Sequence, residues 1–179
     1  PVDDPKAQSD EVKHVARTFG ADLVGITARD ERWVYASKYS RAQDGMKEQE
    51  LPDGLSNVIV IAQAMDHDLI RTVPSALSGT ATGIGYSKDT VVLLALAQYI
   101  KNLGYRAVPS MNDTALAIPY ALKAGLGEYG RHGLLITEEF GPRVRLGKIF
   151  TDLPLAHDQP KTFGVKEFCD RCRACTDAR

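Results

Sequence analysis

Apolar residues recur at helical spacing over residues 9–19 (SDEVKHVARTF), where Val12, Val15, Ala16 and Phe19 share one face, the pattern of an amphipathic helix. Ser9 or Asp10 is the expected cap and Gly20 the stop. The period then changes. Residues 22–27 (DLVGIT) and 55–65 (LSNVIVIAQAM) are runs rich in β-branched residues, which predicts two buried strands of one sheet. Between them, residues 32–41 (RWVYASKYSR) carry the only tryptophan and two tyrosines, whose default role is aromatic packing, while the charged residues 44–53 read as loop.

Residues 75–85 (SALSGTATGIG) are small and read as flexible, and a strong helical pattern follows over 87–104, capped by Ser87 or Asp89 and stopped by Gly104. Tyr86 then stands just ahead of that cap. Backbone amides and the helix dipole make positive potential there, which suits an anion or an ionising phenol, although packed tyrosines are common too. A short strand over 105–109 ends in the polar group Ser110, Met111, Asn112 and Asp113, the sort of strand end where ligands bind in α/β sheets. Asn112 serves equally as a cap for a helix beginning near Ala115 that holds Pro119 in its first turn and finishes at Gly125.

The densest feature is residues 117–155, AIPYALKAGLGEYGRHGLLITEEFGPRVRLGKIFTDLPL. Gly125, Gly127, Gly130 and Gly133 exclude a helix and permit close backbone approach. Their spacing matches neither phosphate-binding fingerprint, so a tight turn and a cofactor bed both remain open. Residues 133–137 and 143–151 read as two strands of an antiparallel hairpin. Arg143 and Arg145 share one face of the second, opposite Val144 and Leu146, and arginines on strands are usually solvated.

Composition narrows the class. The chain has 179 residues, 44% hydrophobic, with 22 basic against 23 acidic residues and a net charge of −1. One main unit with a sizeable core is expected, with no electrostatic footprint for nucleic acid or an anionic membrane. No apolar run approaches spanning length. The chain opens on Pro1 and stops within a cysteine motif, which reads as a piece of something longer. Cys169, Cys172 and Cys175 (CDRCRAC) are its only cysteines. Their spacing begins the C-x2-C-x2-C-x3-C-P run that ligates iron–sulfur clusters. Zinc is the lesser alternative, because His157 has no matching partner. Arg179 takes the place of the fourth cysteine, so a four-cysteine site is incomplete in this chain.

With the cysteines following the glycine-rich segment, the chain resembles the corrinoid-dependent reductive dehalogenases. The resemblance is carried by residues 19–27 (FGADLVGIT), 85–87, 103–112 (LGYRAVPSMN), 117–155 and 168–175. It implies a nitroreductase-like α/β core over residues 1–160, with a mixed sheet flanked by helices, and the start of a ferredoxin-like segment over 161–179. It also implies base-off cobalamin held near Ser110, Met111, Gly125, Leu126, Gly127 and Gly130, with [4Fe-4S] clusters on Cys169, Cys172, Cys175 and ligands elsewhere. Tyr86, Asn112 and Arg145 match the family's catalytic trio. Tyr86 would protonate the carbon that loses halide, Arg145 would stabilise the developing phenolate, and Asn112 would orient the phenol or the substrate. The implied partners are a small organohalide, an electron donor and a small membrane anchor, with no nucleic acid. The implied place is the outer face of the cytoplasmic membrane, with the cytoplasm as alternative. Two other readings compete: an epoxyqueuosine reductase acting on tRNA, against which Tyr86 stands where that family calls for a carboxylate, and a corrinoid-binding or trafficking protein without turnover.

Overall fold

The computed structural model describes residues 3–40, 42, 44–49 and 51–178; Arg179 lies outside the described residues. In chain order the elements are α1 (Pro5–Thr18), β1 (Leu23–Ala28), a 3-10 turn (Glu31–Trp33), β2 (Ser37–Ser40), β3 (Gly45–Glu48), β4 (Asn57–Ala64), α2 (His67–Ile70), α3 (Ala76–Asn102), β5 (Ala107–Ser110), α4 (Ala117–Lys123), β6 (Glu128–Tyr129), β7 (Leu135–Ile136), β8 (Val144–Thr151), α5 (Val165–Cys172) and α6 (Ala174–Asp177). Among the described residues no helix is long and apolar enough to cross a membrane.

The two β-branched runs fold as expected into adjacent strands of one sheet, whose order is β1-β4-β8-β5. The resemblance implies a mixed sheet, but every pairing in this one is antiparallel. Central strands β4 and β8 are largely buried on both faces because helices cover both. One face packs Ile26, Ile59, Ile61 and Ile149 against Val12 and Ala16 of α1 and Val92, Leu93, Leu96 and Ile100 of α3. The other packs Val58, Val60, Ala62 and Phe150 against Tyr120 and Ala121 of α4. Burying each large side chain is worth roughly 1.5–3 kcal/mol, so the two apolar faces of the sheet anchor three layers. Trp33 packs edge-on against Tyr120, centroids 4.9 Å apart, and Tyr120 edge-on against Phe150 at 5.8 Å. The packing role expected of the tryptophan thus holds.

Four local expectations change. Helix α1 begins at Pro5, capped by Asp4, whose carboxylate accepts from the amides of Lys6 and Ala7; Ser9 lies inside it and donates its hydroxyl to the Pro5 and Ala156 carbonyls. The charged stretch after Asp44 contains β3, paired with β2. Helix α3 starts at Ala76 rather than Ser87, held by a capping box between Ser75 and Ser78, and its small residues Ser78, Ala81 and Gly85 are buried. Packing has therefore overridden weak helix propensity. Finally, the hairpin between residues 133–137 and 143–151 does not form. β7 pairs back onto β6, β8 joins the main sheet, and the bridge Thr137–Gly141 closes a turn that stops short of the second run.

Candidate active site

Three elements distant in sequence bring Tyr86, Asn112 and Arg145 together. Tyr86 lies well inside α3, which corrects the expectation that a helix N-terminus polarises it. The side-chain amide of Asn112, just beyond β5, donates to the Tyr86 hydroxyl at 2.9 Å. The guanidinium carbon of Arg145, near the start of β8, sits 4.2 Å from the centroid of the Tyr86 ring, within cation–π range. Arg145 is half-buried rather than solvated, whereas Arg143 is spent on the Met65 carbonyl at 2.9 Å. Tyr86, Thr90, Ser110, Met111 and Asn112 line a concavity of about 500 Å³. Asn112 caps no helix, since the residue ahead of α4 is Leu116.

Buried charge flanks this trio on both faces of the sheet, Asp89 against Gly147 on the α3 face and Lys148 beside Leu146 and Phe150 on the α4 face. Asp89 on α3 and Lys148 on β8 are 1% and 0% exposed. Burial pushes the Asp89 carboxyl up to about 6, against the pull of Lys148 and Arg145. Burial likewise brings the Lys148 ammonium down to about 8, against the pull of Asp113 and Asp89, while that ammonium donates to the Met111 carbonyl. Gln63, on β4 directly opposite Arg145, is fully buried as well. Asp89 was read as a possible cap, and Lys148 and Gln63 passed unnoticed. A signal existed for two of the three: Asp89 follows Tyr86 by one helical turn, and Gln63 interrupts a β-branched run at a core-facing position of period two.

The residues expected to hold a cofactor divide between two places. Ser110 and Met111 line the Tyr86 concavity, while Gly125, Leu126 and Gly127 line a separate groove of about 480 Å³ with Lys13, Arg17 and Lys161. These glycines are required by the chain itself. A Cβ on Gly125 would lie 2.5 Å from the Gln159 carbonyl oxygen and one on Gly127 2.2 Å from that of Ile136, so the groove floor is backbone packed on backbone. Gly130 faces neither space, being covered by the His132 and Ile136 side chains.

Cys169 and Cys172 are carried by α5 and Cys175 by α6, all as free thiols. Among the described residues no three cysteine, histidine or acidic side chains converge in a metal-holding arrangement. His157 is engaged with the Asn57 side chain at 2.7 Å.

A family model described as a reductive dehalogenase subunit matches residues 41–155. The tetrachloroethene reductive dehalogenase of Dehalobacter restrictus is 41% identical over 201 residues, a match covering 93% of this chain. The chain spans about a third of that relative's length, 36%. A solved reductive dehalogenase, reported as suggesting a mechanism for B12-dependent dehalogenation, superposes with a TM-score of 0.85 at 26% identity, covering 98% of this chain and 25% of that one. The epoxyqueuosine reductase of Streptococcus thermophilus, at 19% identity and a TM-score of 0.63 over 94% of this chain and 51% of its own, shares the fold alone, so the tRNA-modifying alternative is the more distant of the two likenesses. The α/β core is nitroreductase-like, and the chain belongs to the reductive dehalogenase family.

Proposed function

We propose that this chain is the core of an enzyme that reductively removes halide from a small organohalide with cobalamin as cofactor. The observation that carries the reading is the convergence of Asn112 and Arg145 on Tyr86 from separate parts of the chain, with Tyr86 and Asn112 lining one concavity and Arg145 the adjoining one that Asn112 also lines. The residues fit the cofactor: a concavity holding Ser110 and Met111, a groove with a backbone floor at Gly125 to Gly127, and the buried Arg145 Nε without a hydrogen-bond partner among the described residues. Cobalamin, when bound, supplies a reduced cobalt able to take part in two-electron cleavage of a carbon–halogen bond.

The chain's own residues handle the proton. Because the Asn112 amide donates to the Tyr86 oxygen, the phenol's hydrogen is not used in that contact and is free to point at substrate. As the phenol gives up this proton to carbon, negative charge grows on an oxygen already holding one donor. The Arg145 guanidinium over the ring stabilises that charge further in a half-buried setting. Electron supply through iron–sulfur clusters rests on the cysteine spacing alone, since the three thiols do not converge here, and no step depends on it. An electron donor, a small membrane anchor and a position at the outer face of the cytoplasmic membrane complete the proposal on family resemblance.

Tyr86→Phe in the full-length holoenzyme is expected to lower turnover by about 10²–10⁴ while the visible spectrum reports unchanged cobalamin content. Wild-type turnover in that variant would remove Tyr86 as the acid.

A further inference from the structure

Beneath Tyr86, α3 and β8 are joined by two reciprocal glycine contacts. A Cβ on Gly85 of α3 would lie 2.9 Å from the Arg145 Cγ, and one on Gly147 of β8 would lie 2.6 and 2.8 Å from the two carboxylate oxygens of Asp89. Each element thus omits a side chain to admit a charged one from the other. Asp89 stands three residues beyond Tyr86, on the same helical face. Both Asp89 oxygens, the Arg145 Nε and both amide atoms of Gln63 are buried without a hydrogen-bond partner among the described residues. Buried polar atoms that the protein leaves unmatched are as a rule met by ordered water.

We propose that Asp89 is the proton store that recharges Tyr86 after each turnover, delivering its proton through water held between α3 and β8 beside Arg145. This inference rests on the reading of Tyr86 as the acid. Once Tyr86 has protonated carbon, and with its concavity filled, the phenolate recovers a proton from the protein side. The Asp89 O–H bond breaks, a bridging water accepts that proton and passes one of its own, and a phenol O–H bond forms. Negative charge moves from Tyr86 to Asp89, and no electrons change hands. Asp89 then refills from solvent past Gln63, which lines a surface pocket of about 440 Å³ with Asp22, Ser87 and Lys88.

The electrostatics suit a store. Burial raises Asp89 to about 6, so it holds a proton for a useful fraction of the time near neutrality, and a phenolate is a far stronger base. The charged groups acting on Asp89 are Arg145 and Lys148 of β8; Asp113, in the loop after β5, acts on Lys148.

The test is Asp89→Asn in the full-length holoenzyme, followed first through a single turnover and then in the steady state. Tyr86 starts protonated, so the first halide is expected at the wild-type rate. Later turnovers slow by about tenfold or more, with a larger solvent deuterium isotope effect and without the wild-type inflection in the pH profile near Asp89's titration. An unchanged steady state overturns the proposal, and so does equal loss in the first and later turnovers, which would make Asp89 a prop for Arg145. Tyr86→Phe loses the first turnover as well, so failure of the acid and failure of the store give different records. Infrared spectra of wild-type protein with carboxyl-labelled aspartate supply a readout independent of turnover. A protonated aspartate band that titrates near about 6 is expected, and its absence sinks the proposal even if Asp89→Asn does not fold.

Discussion

Gly147→Ala measures how tightly α3 is seated on β8. The added methyl would lie 2.6 and 2.8 Å from the Asp89 oxygens and 2.8 Å from Cδ1 of Leu93, all closer than real carbons approach. Asp89 and Leu93 are almost fully buried, so neither has room to swing away. Overpacking of this kind costs about 1–3 kcal/mol, while relieving a glycine inside a strand returns about 0.5–1 kcal/mol. The net expectation is a loss of about 0.5–2 kcal/mol, or a fall in unfolding midpoint of about 1–8 °C for a unit of this size. Gly83→Ala is the control: it lies in the same helix with nothing within 4 Å of its Cβ, and should gain up to about 1 kcal/mol from helix propensity. Combining Gly147→Ala with Asp89→Ala frees the contested volume and should recover much of the loss, whereas Asp89→Asn keeps the bulk and should not. Thermal and urea unfolding of the four variants decide the matter. A Gly147→Ala protein as stable as wild type, or equal rescue by Asn and Ala, would refute the steric account.

The buried pair should leave opposite marks on stability. Asp89's carboxyl is raised from 3.8 to about 6, so its contribution is complete below 3.8 and lost as pH rises through about 6. Asp89→Asn should therefore gain on wild type by up to about 3 kcal/mol across that window, and parallel stability curves for the two proteins would contradict it. Lys148 is lowered from 10.5 to about 8, so wild type gains stability as pH rises from about 8 through 10.5; Lys148→Met should flatten that alkaline limb in urea titrations. Tyr120→Phe removes a hydroxyl that donates to the Asp30 carbonyl at 2.9 Å and accepts from the Asp30 amide at 3.2 Å. A cost of about 1–2 kcal/mol is expected, with cobalamin content unchanged, and equal stability would deny that the hydroxyl pins that turn.

The strands β1 and β4 were legible because both faces of each are buried, which writes a run of β-branched residues into the chain. The first half of α3 was not. Ser78, Ala81 and Gly85 are helical because they fit against the sheet, and local propensity gives no hint of that. The glycine-rich segment is legible only in part: its glycines allow Gln159 and Ile136 to close on the backbone, a long-range packing demand that sequence spacing does not separate from room for a ligand. Tyr86, Asn112 and Arg145 each stood out locally, but their grouping came from family resemblance and not from periodicity, since their meeting depends on long-range pairing of α3, β5 and β8. Asp89 escaped because an aspartate near a supposed helix start has an ordinary explanation as a cap, and only the longer helix removes it.

Strand β8 alternates its allegiance residue by residue. Arg145, Gly147 and Ile149 turn toward α3, while Val144, Leu146 and Phe150 turn toward α4. A shift by one position would exchange the whole set, driving Arg145 into the apolar layer and pulling Leu146 up under Tyr86. Ladders on both sides, to β4 from Val144 to Thr151 and to β5 from Lys148 to Thr151, resist such a shift. Changes in chain length just upstream must consequently be absorbed in the turn between Thr137 and Gly141. That turn is the place where this scaffold can lengthen or shorten without altering which residues of β8 face α3.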